Sequence, residues 1–264
     1  MKPQKGEPAI GFFRTLGSMP EFRSFDGTRL HYEVHGDGLP VVLLHSFGFD
    51  GLLWEREGVV DALVANGRAA ITLDARGHGK SDKPRDPAAY ADDAMARDVS
   101  ALLDRLQHPS ADLAAYSMGS IVGLRLLQLE PRIDRAVLGG IGERAISNYF
   151  ANGPMVADAL EAEDVATVID VLRPLRQRIE RRGEDRVALA ALMRAQYVNL
   201  VPPFDDVRAT VLILTGERDE FGSPQPVADA IPGARAATLD ADHATAMDHP
   251  DFASTIVSFL AGEL

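Results

Sequence analysis

The sequence predicts an α/β protein: a mostly parallel sheet of eight strands, with helices on both of its faces and a small helical cap. Three observations carry that expectation. Short β-rich runs alternate with helix-length amphipathic stretches, the pattern of strands joined by right-handed helical crossovers. Most of these runs are apolar throughout, as strands covered on both faces must be. One stretch of about sixty residues keeps helical patterns but has no strand-like run, so it reads as an insertion between two strands.

In chain order, Phe22, Phe25, Leu30, Tyr32 and Val34 flank Asp26-Gly27, a dipeptide suited to a hairpin turn, and predict two antiparallel strands. Further strands are expected at Val41–Leu44, Ala69–Leu73, Ala111–Tyr116, Arg135–Gly139, Val211–Leu214 and Ala236–Leu239. Helical spacing links Met95, Val99, Leu102, Leu103 and Leu106, then Ile121, Leu124 and Leu127, and near the end Phe252, Ile256, Phe259 and Leu260. The insertion, 143–206, carries helical patterns at Val165, Val168, Ile169 and Leu172 and at Leu189, Leu192, Met193, Tyr197 and Leu200, punctuated by Pro174 and Gly183. Its expected role is a lid, because sites in open parallel sheets lie beyond the carboxyl ends of the strands, where this insertion leaves the chain. The expected organisation is an N-terminal arm (1–20), a core formed by 21–142 and 207–264, and the cap 143–206. The arm is expected to be disordered or loosely packed, and the alternative is a strap over the core through Phe12, Phe13 and Leu16.

Composition removes several function classes. Lys and Arg number 27 against 39 Asp and Glu, a net charge of −12, which repels phosphate backbones and anionic lipid; no basic run is expected to offset it, so neither nucleic acid nor membrane is an expected partner. The absence of cysteine excludes disulfides, thiolate metal sites and a cysteine nucleophile, so covalent catalysis must use oxygen or nitrogen. No apolar stretch suits a signal peptide or a membrane span, and a cytoplasmic location is the default expectation.

The chemistry-bearing segment is Asp112 to Gly123, where a buried strand runs into a helix with Ser117 at the corner between the small residues Ala115 and Gly119. Such a corner strains the serine backbone, exposes the hydroxyl and aims the free N–H groups of the new helix at any negative charge forming beside it. On these residues alone, Ser117 is either a nucleophile or an ordinary helix N-cap. Ala115-Tyr116-Ser117-Met118-Gly119 resembles the nucleophile elbow of the α/β-hydrolase fold, with alanine in the first glycine position.

Two more segments extend the resemblance. Leu44-His45-Ser46-Phe47-Gly48 is similar to the family's oxyanion loop, with Ser46 in a glycine position. The resemblance implies that the backbone N–H groups of Phe47 and Met118 receive the oxyanion and that His45 is structural. Asp74 to Asp82 resembles the family's D-x-R-G-x-G-x-S turn, a structural loop in which Asp74 and Arg76 are expected to pair. Gly77 and Gly79 lack the lysine-serine pair or third glycine of a phosphate cradle, which sets dinucleotide binding aside.

In this fold the triad order is serine, acid, histidine, and Ser117, Asp219 and His243 appear in that order, each just beyond a predicted strand. Glu217, Asp205 and Asp242 are the alternative acids, and His249 is the alternative base; His31, His35, His78 and His108 read as surface or packing residues. Tyr116 is expected to pack the elbow, and Trp54 to anchor its helix on the sheet.

The resemblance, covering about 21–264, implies acyl transfer through an acyl-serine, without metal or organic cofactor, on a small-molecule ester or lactone. A serine nucleophile is unlike the aspartate of epoxide hydrolases and haloalkane dehalogenases, and the chain looks similar to 3-oxoadipate enol-lactonases and related small esterases. Carbon–carbon bond hydrolysis, cofactor-free perhydrolysis and non-catalytic ligand binding share the same residues. Oligomeric state is left open.

Overall fold

In a computed structural model describing residues 21–144, 152–195 and 204–264, the apolar runs become one sheet. Its strands are β1 (Glu21–Arg23), β2 (Arg29–His35), β3 (Leu39–Leu44), β4 (Arg68–Leu73), β5 (Ala111–Tyr116), β6 (Ile133–Gly139), β7 (Thr210–Gly216) and β8 (Arg235–Leu239), in the spatial order β1-β2-β4-β3-β5-β6-β7-β8. β1 and β2 form the expected antiparallel hairpin, with Gly27 at a φ of +89° in the turn, and β2 is antiparallel to β4. From β4 to β8 every pairing is parallel. The expected arm and its Phe12, Phe13 and Leu16 lie outside the described residues, as do Tyr197 and Leu200.

Side chains alternate across the sheet, and this explains why the strands are apolar throughout. Val42 and Leu44 of β3, Leu113 of β5 and Ile213 of β7 face one core with α3 (Ala94–Leu106) and α4 (Met118–Leu129). Their neighbours Val41, Leu43, Ala114 and Leu212 face the other core with α1 (Leu52–Arg56), α2 (Val59–Ala65) and α9 (Pro250–Ala261). Trp54 is fully buried in this second core, where it anchors α1 as expected. Each buried Val, Leu or Ile side chain among these contributes about 1.5–3 kcal/mol, so burial on both faces holds the sheet between its helices.

Between β6 and β7 the chain forms α5 (Gly153–Glu161), α6 (Arg173–Arg182) and α7 (Arg186–Arg194), consistent with the helical patterns there, with one correction. The stretch from Val165 to Leu172 is a single 3₁₀ turn, Val165–Thr167, followed by non-helical chain. Asp164 caps that turn by accepting the Ala166 N–H, Val168 leaves it with extended backbone, and the next helix starts only where Pro174 fits its first turn. A second correction concerns charge: α6 carries five arginines in ten residues, so the acidic balance of the chain is reversed locally in the cap.

A third correction concerns the turn after β4. Asp74 does not pair with Arg76; its carboxylate accepts the Gly51 and Lys80 N–H groups, each at 2.8 Å, and so ties two loops together. Arg76 is fully buried and forks onto Asp98 of α3 at 2.7 and 2.6 Å, with Asp26 at 2.9 Å completing the network. Ser24 donates its hydroxyl to the same Asp98 at 2.5 Å. The hairpin is thus fastened to α3 by one buried cation.

Removing Asp98 strands that guanidinium in the interior. Asp98→Ala is expected to lower unfolding stability by about 3–5 kcal/mol, whereas Arg85→Ala, which breaks the exposed pair with Asp185, costs at most about 1 kcal/mol. Urea unfolding of the two variants side by side checks the difference.

Candidate active site

Ser117 joins β5 to α4 with φ 53° and ψ −115°, backbone geometry that a non-glycine residue rarely adopts. Two close approaches hold it there. Gly119 passes so near the end of β3 that a Cβ would overlap the Leu44 carbonyl, which fixes the first turn of α4 against the strand that leads to Phe47. Gly123 lets α4 lie close against the sheet, since a Cβ there would press on Leu138 at 2.9 Å and Leu113 at 3.1 Å, whereas the Ala115 methyl would stand at an ordinary 3.6 Å. The Ser117 N–H donates to the Gly139 carbonyl at 2.9 Å. Its hydroxyl makes no cap bond to α4, which removes the N-cap alternative.

That hydroxyl lies 3.1 Å from His243 Nε2, and His243 Nδ1 lies 2.9 Å from Asp219 Oδ2. The three residues expected from the sequence are therefore brought into one row, although 126 residues separate the first two. Asp219 sits in the turn after β7, whose backbone closes through Asp219 N–H to the Gly216 carbonyl. Its carboxylate is buried; the second oxygen accepts the Phe221 N–H at 2.9 Å. With the carboxylate at Nδ1, the ring proton resides on Nδ1 and the Nε2 lone pair faces the serine.

Two contacts that hold this row escaped the sequence reading. Tyr116 does more than pack: its hydroxyl donates to the His243 backbone carbonyl at 2.8 Å, so the residue next to the serine also holds the loop that carries the imidazole. Burial pushes its phenol well above the ordinary value. Phe221 stands edge-on to the imidazole with ring centroids 4.7 Å apart, and limits its rotation. The only sequence signal for either was its nearness in sequence, Tyr116 next to Ser117 and Phe221 two residues after Asp219.

The alternatives are accounted for. His249 accepts the Asp251 N–H and caps α9. Asp242 accepts the N–H groups of Ala244 and Thr245 in its own turn, and Glu217 and Asp205 are exposed. His45 is buried with both ring nitrogens engaged, Nδ1 at 2.9 Å from the Ser46 carbonyl and Nε2 accepting the Ala75 N–H, and burial pushes its pKa down. It is therefore neutral and structural. Phe47, half-buried, follows that histidine, and Met118 is the first residue of α4, where N–H groups have no intrahelical acceptor. Among the described residues, Asp219, Glu220 and His243 are close enough to share one ion, but the Asp219–His243 bond already explains that closeness; Glu33, His35 and Glu55 form another such group at the sheet edge. No helix among the described residues is long and apolar enough to cross a membrane.

Comparison with known proteins matches residues 40–165 to the family model of the alpha/beta hydrolase fold. A protein of Variovorax paradoxus provisionally named a carbamate hydrolase is 40% identical over 104 residues, 39% of this chain and 38% of that protein. The match thus spans well under half of this curated relative. A hydrolase of Pseudomonas aeruginosa has a structure similar at a TM-score of 0.72, with 26% identity over 93% of this chain and 99% of that one. The enol-lactonase of Burkholderia xenovorans is similar at 0.69, with 26% identity over 92% of this chain and 100% of that one.

Two predictions follow from the site's geometry. Because glycine tolerates positive φ, Ser117→Gly is expected to raise unfolding stability by about 1 kcal/mol despite the lost hydrogen bond, as read by denaturant unfolding; a loss of stability would show an unstrained corner. Glu57, at the end of α1, is raised to about 7 by burial and by the hydrogen bond and charge of Asp248, five residues beyond His243. The folded state holds this proton more tightly, so the stability it contributes is complete below the ordinary 4.5 and disappears as pH rises through about 7. The melting temperature is expected to fall between pH 5 and 8, and Glu57→Gln to flatten that decline.

Proposed function

We propose that this chain, which has the α/β-hydrolase fold, is a serine hydrolase that cleaves a small carboxylic ester or lactone through an acyl-serine intermediate. The observation that carries the reading is the row Ser117 Oγ, His243 Nε2, His243 Nδ1, Asp219 Oδ2, with the serine hydroxyl left free of cap duty. A serine hydroxyl is a weak nucleophile near neutral pH and reacts only when a base accepts its proton as it attacks.

His243 Nε2 takes the Ser117 proton as Oγ bonds to the carbonyl carbon, and the π electrons move onto the carbonyl oxygen. The Phe47 and Met118 N–H groups receive that oxyanion, helped by the positive end of α4. Asp219 holds the imidazole by Nδ1 and stabilises the imidazolium. The tetrahedral adduct collapses, and the alkoxide departs with the proton from His243. Water then gives a proton to His243, attacks the acyl carbon, and a second collapse returns the proton to Ser117 and frees the acid. In a lactone the alcohol and the acid leave as one molecule. The helices between β6 and β7 form the lid, and α6 lies across the loop that carries Phe47, where Ile179 fills the space above Gly48.

Short p-nitrophenyl esters test the reading. The purified protein is expected to hydrolyse them, to be labelled by a fluorophosphonate, and to lose about four orders of magnitude or more of kcat in Ser117→Ala. Absence of both turnover and labelling, with a ligand still raising the melting temperature, would instead favour a binding protein.

A further inference from the structure

β2 carries His31, Glu33 and His35 at alternate positions, so the three side chains share one face of the sheet. On that face His35 meets Glu55 of α1. Ligand atoms of Glu33, His35 and Glu55 all lie within 4.8 Å of one another. His35 Nε2 is shut off from solvent and has no hydrogen-bond partner among the described residues; the Glu55 carboxylate stands at 3.8 Å, too far to accept a proton from it. A buried ring nitrogen between two carboxylates, bonded to neither, lacks the partner that a buried polar atom ordinarily has.

The surroundings suit a metal ion at that point. His31 Nε2 lies 3.0 Å from Glu33 Oε1 and holds the carboxylate from behind, as the outer partner of a ligand does. Glu33 and Glu55 line a cavity of about 220 Å³ between core and cap, which provides an entry path. Neither Ser117 nor His243 lines that cavity, so the group is separate from the serine row. The one cation at hand is Lys80, which donates to Glu33 Oε1 at 3.2 Å; its side chain is 60% exposed and can swing into solvent.

The donor set says which ion. An imidazole nitrogen favours zinc over Mg²⁺ and Ca²⁺, which take oxygen ligands. Tetrahedral zinc, at about 2.0–2.1 Å from each ligand, needs its ligands about 3.4 Å apart, a closure that side-chain rotation supplies here. The fourth position is left to water from the cavity. We propose that Glu33, His35 and Glu55 form a Zn²⁺ site, with His31 as the outer partner of Glu33, and that the ion displaces Lys80 and clamps β2 to α1.

Isothermal titration with zinc chloride tests this on tag-free protein stripped with EDTA and then dialysed free of it. One ion per chain is expected to bind, and to raise the melting temperature by about 5 °C or more at about 100 times Kd. His35→Ala and Glu55→Ala are each expected to weaken binding by about 100-fold or more. Lys80→Met is expected to tighten it about tenfold, because a competing charge is gone; a gain of that kind cannot come from misfolding. His243→Ala dismantles the other group able to share an ion and is expected to keep the binding. The inference is overturned by absence of binding up to about 1 mM zinc, by binding that survives both alanine variants of the site, by its loss in His243→Ala, or by an equal affinity for Mg²⁺. Circular dichroism establishes that each variant is folded before it is titrated.

Discussion

Parallel pairing from β4 to β8 is the constraint on which the rest of the molecule depends. A parallel sheet releases every one of its strands at the same edge, so the loops after β3, β5, β7 and β8 meet there however far apart they lie in sequence. Phe47, Ser117, Asp219 and His243 follow those four strands. An antiparallel arrangement of the same strands would send half of them to the opposite edge. Parallel pairing also requires both faces to be covered, and the two apolar cores on either side of the sheet meet that requirement.

Within that frame, the serine corner exchanges local stability for geometry. Its positive-φ backbone persists because three neighbours over-determine it: Gly119 lets α4 touch the end of β3, Gly123 lets it lie against Leu113 and Leu138, and the Gly139 carbonyl holds the Ser117 N–H. Tyr116 adds a cross-link of a different kind. By bonding the His243 carbonyl it makes the distance between the Ser117 hydroxyl and the imidazole a property of adjacent residues 116 and 117, instead of the sum of errors along a long chain. The imidazole is confined on its other side by Asp219 and by the Phe221 ring.

Much of this was legible in the sequence because it depends on local rules. Strands buried on both faces announce themselves as continuous apolar runs, and β5 spans the very residues expected. Ser117, Asp219 and His243 were readable because each follows a strand, and the small residues around Ser117 marked the corner. Interactions chosen by tertiary approach were hidden. Arg76 could reach Asp74 or Asp98 as far as spacing tells, and only the packing of α3 against the hairpin decides for Asp98. Apolar spacing around Val165 imitates a helix, but the Asp164 cap and the extended Val168 end it after one 3₁₀ turn.

The placement of β8 has a consequence for the order in which the molecule assembles. β8 is the outermost parallel strand, it pairs only with β7, and His243 leaves it near the C-terminus. As the chain is synthesised, β3, β4, β5 and α4 can associate while the imidazole is still unmade or undocked. During that interval the alcohol at the corner is an ordinary hydroxyl. On the proposed hydrolase reading, reactivity is therefore switched on by the closing step of folding, and a chain cut short before that strand carries Ser117 in a dormant form.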